Sequence, residues 1–346
     1  MNAKPRLGFL GLGWIGTQRM EALQSENLAD IIAIADPSEN SIKRAAESAP
    51  GAKMFNSLEQ LLTTLGSELD GLVIATPSAS HAAQSISALE LGIPVFCQKP
   101  LGRNAEEVER IVQIAKSADV LLGVDLSYRF TDGIQKIRKE IAKGNLGKIF
   151  AADLVFHNAY GPDKEWFYEA ELSGGGCVID LGTHLIDLAM AIIDSPVTDV
   201  SSRLFRSGQP INLGSAGTER TEVEDYAIAR LDFASEATAQ IACSWNLNAG
   251  QDAVITANFY GDRGGACLRN VNGSFIDFVA ELFHGTSKTL LGQPPDAWGG
   301  RALIDWTVKL ASGSRFDRGI LHSIEVARVI DAIYQTVSIQ RTAMSI

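Results

Sequence analysis

Three stretches of this chain carry residues able to do chemistry. The first is Gly11-Leu12-Gly13-Trp14-Ile15-Gly16, with Asp36 placed 20 residues after its last glycine. The second is Gln98-Lys99-Pro100, and the third is Asp180, His184 and Asp187 in an apolar run that follows Gly174-Gly175-Gly176. A G-x-G-x-x-G turn between a strand and a helix suits a pyrophosphate. Gly11 allows the tight turn, Gly13 lets the main chain approach without a Cβ, and Gly16 lets helix pack closely on strand. The N–H groups and positive dipole end of a helix opening at Trp14-Ile15 add affinity for an anion. A carboxylate at the position of Asp36 can accept hydrogen bonds from the ribose hydroxyls of a dinucleotide, and would repel a 2′-phosphate. NAD is therefore expected ahead of NADP, with Lys43 and Arg44 close enough in sequence to offset this. A plain tight turn in another α/β fold is the competing reading of the glycines.

Lysine at a strand end, stiffened by a following proline, can bind a hydroxyl or carbonyl oxygen. If burial lowers its pKa it can also exchange an alcohol proton. An ordinary loop lysine fits the position of Lys99 as well. Asp180, His184 and Asp187 stand at i, i+4 and i+7, on one face of a helix. A thin polar stripe on an otherwise apolar helix is hydrogen-bonded, lines a wet cavity or faces solvent. The preceding glycines, where main chain can approach a ligand, favour the cavity. His184 titrates near neutral pH and can serve as acid, base or donor, and Asp180 can orient it or bind a substrate hydroxyl. Asp187 is the weakest of the three, since it can reach the helix exterior or a backbone partner.

These residues need elements to hold them. Arg6–Leu10 and Ile31–Ala35 read as strands around a helix from Thr17 to Ser25. Leu58–Leu65 reads as a helix, Asp70–Ala75 as a buried strand, and His81–Leu91 as a helix capped by Ser78 or Ser80. Gly92–Cys97 and Val120–Val124 read as strands around a helix from Ala105 capped by Asn104. This alternation predicts a doubly wound parallel sheet. Gly11, Asp36, Thr76-Pro77 and Gln98-Lys99 then all fall at carboxyl ends of strands, where such sheets bind ligands. A helix to about Lys143, a strand from Lys148 to Phe156 and the Cys177–Ile193 helix follow. Strands are then read at Val197–Phe205, Tyr226–Phe233, Thr238–Leu247, Val254–Tyr260 and Phe275–Leu282, with hairpins at Asp232–Ala237 and Gly261–Gly265. The organisation expected is a Rossmann domain over residues 1–124 and an α+β domain with a large, mostly antiparallel open sheet over 125–346. Ala239, Ile241, Cys243 and Trp245 share one parity and are assigned to the uncovered face, which predicts a homodimer or homotetramer. Asn158–Leu172 reads as a polar loop whose aromatics, Tyr160, Trp166, Phe167 and Tyr168, either stack on a sugar ring or cover the core. Arg129 is a candidate for substrate contact, with a surface ion pair as the alternative. His81, His157 and His322 are read as structural.

At 346 residues the chain exceeds what one core usually serves. Its formal net charge of -11, with lysine and arginine scattered, argues against nucleic acid. The four cysteines show no metal spacing and read as buried apolar residues in a reducing compartment. No metal is required, since lysine and histidine can move the proton. Leu7–Leu10 runs into the glycine turn and reads as a strand rather than a leader. No apolar stretch is judged to approach the ~20 residues of a membrane span, and a cytoplasmic location is expected.

Taken together, the G-x-G-x-x-G turn, Thr76-Pro77, the Gln98-Lys99-Pro100 triplet and the Gly-Gly-Gly…Asp180-x-x-x-His184 segment resemble the family of glucose–fructose oxidoreductase, inositol dehydrogenase and MocA. The resemblance implies NAD(P)-dependent oxidation or reduction of sugars, polyols and related compounds. It carries the family lysine onto Lys99, the aspartate onto Asp180 and the histidine onto His184. One departure stands out: Gln98 replaces the commoner glutamate. Losing that charge is expected to lower the pKa of Lys99 and favour a base role, so the pH–rate profile should move in a Gln98→Glu variant. Two other classes stay open: an NAD-binding regulatory protein without turnover, and an enzyme that uses tightly bound NAD transiently during elimination or hydrolysis of a sugar.

Overall fold

The computed structural model describes residues 4–211 and 222–335. The chain divides into two compact units: residues up to Phe130 with Ala297–Glu325, and Thr131–Asp296 with the chain from Val326 on.

The first unit alternates β1 (Arg6–Leu10), α1 (Trp14–Ser25), β2 (Asp30–Ala35), α2 (Glu39–Ser48), β3 (Lys53–Phe55), α3 (Leu58–Leu65), β4 (Gly71–Ile74), α4 (Ser78–Glu90), β5 (Val95–Cys97), α5 (Ala105–Ala118) and β6 (Leu122–Val124). Every pairing is parallel, in the order β3-β2-β1-β4-β5-β6. Chain order reverses between β1 and β4, so the ends of these two strands form the crevice where doubly wound sheets bind ligands. β1 and β4 are buried on both faces, which explains their unbroken apolar runs. Side chains of Ser38, Ser57 and Asn104 cap α2, α3 and α5. α4 departs from expectation: it starts at Ser78 itself, after Pro77, with no side-chain cap. Proline at this boundary has its φ preset and no N–H to satisfy, so the turn forms without a serine cap. α2 and β3 are not apparent from the sequence. The β3 strand is a three-residue edge with no buried position, so it carries no hydrophobic signal.

The second unit runs α6 (Asp132–Ala142), β7 (Ile149–Asn158), α7 (Ala170–Ser173), a π turn at Val178–Gly182, α8 (Thr183–Ile193), β8 (Val197–Arg206), β9 (Gln209–Pro210), β10 (Tyr226–Phe233), β11 (Thr238–Ser244), β12 (Ala253–Gly261), β13 (Gly265–Asn270), β14 (Phe278–His284) and β15 (Ser287–Gly292). Its nine strands lie in the order β15-β14-β13-β12-β7-β11-β10-β8-β9. Among the described strands of this sheet, only β7 and β11 pair in parallel. β13 and β15 were not expected as strands, and β14 starts later than Phe275.

One expectation is corrected here. Ala239, Ile241, Cys243 and Trp245 are at most 3% exposed, so their parity faces the chain's own interior. The other parity of the neighbouring β10, with Ile228 half-buried and Arg230 exposed, is the face left open. Alternation alone gives two faces but does not say which one the helices cover. The segment Ala170–Ile193 is long and apolar, but it is broken at Gly174–Gly176, where the chain leaves the helix with φ +86° and +155° at Gly174 and Gly175. Its most apolar window is 83% buried within the fold, as in a core helix.

The chain then adds α9 (Arg301–Ala311), which belongs to the first unit, and α10 (Leu321–Gln335). The boundary expected at 124/125 therefore differs from the observed division, and the return of α9 has a packing cause. Trp306 of α9 is 3% exposed and packs 5.8 Å from the Phe96 ring. A Cβ at Gly71 would lie 2.7 Å from this indole, and one at Gly123 2.6 Å. Two glycines on the sheet thus make room for one tryptophan, whose removal would cost about 3–5 kcal/mol.

Candidate active site

At the end of β1, Gly11 has φ +86°, a conformation that L side chains rarely adopt. A Cβ there would also meet the main chain of Ala75 at 2.5 Å. A Cβ on Gly16 would overlap the Gly11 carbonyl, so helix α1 and strand β1 touch through two glycines. Gly13 differs, because a Cβ on it would meet nothing within 4 Å. No side chain caps α1 and no acid stands in its first turn, and Trp14 is 75% exposed. Asp36 ties the turn to β2: Leu12 N–H donates to its Oδ2 at 2.7 Å and Ser38 N–H to its Oδ1 at 2.8 Å. Each carboxylate oxygen keeps capacity for a further donor. Lys43 is engaged in an exposed ion pair with Glu39 at 3.8 Å.

Two strand-end loops meet at His81 of α4. Its Nε2 lies 2.7 Å from the Thr76 carbonyl and its Nδ1 2.7 Å from the Pro100 carbonyl. One buried ring therefore ties Thr76-Pro77 to Lys99-Pro100, whose peptide bond is cis. Two acceptors call for two donors, which only the protonated ring offers. Burial nevertheless pushes the His81 pKa below its usual value, the carbonyls pull it back up, and the Lys99 charge lowers it further. Thr76 Oγ1 donates to Gln84 at 2.6 Å.

Gln98 is 7% exposed, and its side-chain amide donates to Asp125 Oδ2. The same oxygen receives Arg19 Nε at 2.6 Å, in an ion pair with side chains 5% and 0% exposed. Asp125 Oδ1 has no hydrogen-bond partner. The side chain at position 98 is thus spent on the Asp125 carboxylate, which Arg19 also holds. A glutamate at 98 would face Asp125 across one arginine. Arg129 sits half-exposed in the short helical turn Ser127–Phe130 that follows β6.

In the second unit, Gly174 and Gly175 have φ +86° and +155°. The helical run then opens as a π turn, Val178–Gly182, and continues as α8. π turns are rare and recur at functional sites. Asp180 lies inside the π turn, with His184 and Asp187 on the α-helix beyond it, so the simple α-helical stripe is modified at its first member. Asp180 is half-buried, whereas His184 and Asp187 are 7% and 1% exposed. Asp187 is therefore buried and does not reach a solvent-facing helix exterior.

Trp245, just past β11, donates its indole N–H to Asp180 Oδ2 at 3.1 Å. Phe167 and Tyr168 set their rings edge-on to Trp245 at 6.3 and 5.5 Å. Burial and the Asp180 charge raise the Tyr168 pKa. Trp166 stacks on Phe167 at 3.8 Å, one ring removed from Trp245. Tyr160 is 51% exposed and meets Phe275 instead. A cavity of about 380 Å³ lined by Phe205, Asp225, Tyr226, Trp245, Asn246 and Asn248 shares the same indole. Trp245, Phe167 and Tyr168 are thus the aromatic surroundings of Asp180, and Trp245 is 65 residues away from it in sequence. The only available signal was a tryptophan ending a strand.

Comparison with known proteins places these groups in context. Residues 6–126 match the oxidoreductase family with an NAD-binding Rossmann fold, and residues 134–267 match the GFO/IDH/MocA C-terminal domain. The chain belongs to the GFO/IDH/MocA oxidoreductase family. It is 26% identical to the D-glucoside 3-dehydrogenase of Escherichia coli (strain K12) over 276 residues, 78% of each chain. It is also 26% identical to the myo-inositol 2-dehydrogenase of Thermotoga maritima over 279 residues, 80% of this chain and 78% of that one. Levoglucosan dehydrogenase in complex with NADH and levoglucosan shares the fold at TM-score 0.81, with 21% identity and 97% of both chains covered. KijD10 of Actinomadura kijaniata, solved with NADP, shares it at TM-score 0.79, with 20% identity and 96% and 97% covered.

This GFO/IDH/MocA protein is accordingly an NAD(P)-dependent oxidoreductase, and its glycine turn fits the cofactor physically. The main chain is open at Gly13, and α1 presents an uncapped N-terminus with no competing acid. Among the described residues, no group of three or more His, Cys, Asp or Glu is placed to hold a metal.

Proposed function

We propose that this protein transfers a hydride between NAD and a hydroxyl-bearing carbon of a sugar, polyol or related small molecule. When bound, the nicotinamide supplies the two-electron acceptor or donor. Lys99 takes the alcohol proton during oxidation and returns it during reduction. Asp180 orients the substrate hydroxyls, and His184 contributes a donor or proton acceptor. The observation that carries this reading is the construction around Lys99. His81 fixes the two loops beside it, and the buried Arg19–Asp125–Gln98 cluster holds the strand end from which it projects. Gly11, Gly13, Trp14, Ile15, Gly16, Asp36, Thr76, Pro77 and Gln98 form the dinucleotide side of the site.

NAD is favoured over NADP because Asp36 is a carboxylate already anchored at the ribose end of the turn, and Lys43 is engaged with Glu39. Aromatic walls beside Asp180 suit a sugar ring, whose C–H faces stack on indole and phenol, and Trp245 and Tyr168 fill that role better than Tyr160. Arg129 and Trp166 are secondary substrate contacts. The first unit carries the cofactor, and the second carries the substrate and the assembly surface. Its open sheet face, with Tyr260 38% exposed, is covered by a second copy in a cytoplasmic homodimer or homotetramer. A monomeric mass in light scattering at micromolar protein would refute that assembly.

The test is nicotinamide reduction across a panel of sugars, polyols and their acids, with NAD and NADP run in parallel. NAD-linked turnover on one substrate class is expected. Measured cofactor binding with silence across the panel would move the reading to a regulatory NAD-binding protein. Co-purifying cofactor that is never consumed would move it to transient use of NAD.

A further inference from the structure

We propose that Glu224 is a positioning residue for Asp180, acting through the start of the turn that carries that carboxylate. The inference rests on the reading of Asp180 as a site residue. The N–H groups of Gly176, Cys177 and Val178, in succession at the start of the helical run, all end on Glu224. Gly176 N–H reaches its two carboxylate oxygens at 3.1 and 3.2 Å. Val178 N–H reaches Oε1 at 2.9 Å, and Cys177 N–H reaches the Glu224 main-chain carbonyl at 3.0 Å. These are the groups a helix leaves without intrahelical acceptors, and their positive end favours an anion. Tyr334 of α10 donates its hydroxyl to the same Oε1 at 2.9 Å.

The second grip comes from the adjacent residue. The Asp225 main-chain carbonyl accepts the Trp245 main-chain N–H at 2.7 Å, and the Trp245 indole donates to Asp180 at 3.1 Å. One dipeptide, Glu224-Asp225, therefore holds the start of the turn that carries Asp180 and the tryptophan that aims it. The fit leaves no slack: a Cβ on Gly176 would overlap the Glu224 carbonyl. Glu224 is 1% exposed. Burial raises its pKa, while the N–H and tyrosine donors work to keep it ionised. A buried carboxylate held this way is costly unless its donors stay in place, so it selects the one arrangement of the π turn that supplies them all.

The test needs no turnover. In ¹⁵N-labelled full-length protein, the five tryptophans give indole N–H resonances, and Trp245→Phe identifies the one bonded to Asp180. Asp180→Asn should move that resonance and confirm the bond. Glu224→Gln and Tyr334→Phe are then compared with wild type. The Trp245 resonance should move in both while those of the other tryptophans hold. On a turned-over substrate, kcat should fall about tenfold to a hundredfold for Glu224→Gln and about threefold for Tyr334→Phe. KM for NAD should stay within about twofold in both, because misplacing Asp180 costs the reacting geometry rather than cofactor binding. Should Glu224→Gln fail to fold, Tyr334→Phe decides. An unmoved Trp245 resonance, or a shift spread equally over all five, would overturn the proposal. Absence of turnover with a Trp245-specific shift would instead count against the hydride-transfer reading alone.

Discussion

In the first unit the groups set out for chemistry are mostly main-chain groups at the ends of parallel strands. In the second they are side chains on one helical run, aimed by residues far away in sequence. The Gly11 turn needs only three glycines, a strand and a helix, and every one of these is local. Asp180 needs a π turn, Trp245, Glu224 and Tyr334, which span most of the second unit. A site of main-chain groups tolerates surface change but not a misplaced Cβ, whereas a site of supported side chains is exposed to loss of any distant support.

Paired glycine substitutions sharpen this contrast with the largest expected effect. Gly176→Ala forces a methyl group into the Glu224 main chain and should cost about 1–3 kcal/mol or more, read as a fall in denaturation midpoint together with lost kcat. Gly13→Ala meets no protein atom, so stability should stay within about 0.5 kcal/mol. Cofactor affinity should drop roughly tenfold, because the methyl enters the space the pyrophosphate needs. If Gly13→Ala were instead unstable with normal NAD affinity, the main-chain account of the first unit would fail.

Gln98→Glu comes next. It removes the amide that donates to Asp125 and puts a second carboxylate against it, at a cost of about 1–3 kcal/mol. Like charges so close raise the pKa of the pair in the folded state. The sign follows: protonation relieves the clash, so the variant should approach wild-type stability in acid and lose it as pH rises through the carboxylate range. Urea titrations at several pH values check this. A variant equally stable at every pH would mean the Asp125 contact is not formed.

Asp36→Ala should lift activity with NADP relative to NAD by roughly tenfold and loosen the Leu12 tether, measured as the ratio of kcat/KM values. An unchanged ratio would remove Asp36 from cofactor choice. The smallest effect concerns His81, whose pKa is lowered by burial. A depressed folded value means its contribution is present above the ordinary histidine pKa and lost as pH falls through the folded one. Thermal stability should therefore decline on the acid side of neutrality, less so in His81→Gln. A steeper decline in the variant would contradict the assignment.

The same contrast explains what the sequence reveals. The glycine turn, the parallel sheet and the large antiparallel sheet all leave local signals: spacing, buried apolar runs and alternation. The return of α9 to the first unit was hidden, because nothing near Trp306 says that Gly71 and Gly123 are cut to receive it. The covered sheet face was misjudged for a related reason, since Ala239 and its neighbours look the same whichever side the helices take. Lys99, Asp180 and His184 stand out by residue type and setting. Trp245 and Glu224 do not, because their partners lie 65 and 46 residues away and a tryptophan or glutamate beside a strand is unremarked. Position 98 shows the limit of reasoning from one residue. The Gln98 amide is held by Asp125, 27 residues on, a partner visible only once β5 and β6 pair.

The most direct measurement of the central claim is a single turnover of the NAD-loaded enzyme with a substrate found in the panel, wild type against Lys99→Ala, both shown folded and both saturated with cofactor. The account predicts nicotinamide reduction in the wild type and a rate about 10²–10⁴ lower in the variant, with NAD affinity little changed. Equal rates in the two proteins would remove Lys99 from proton transfer and contradict the account.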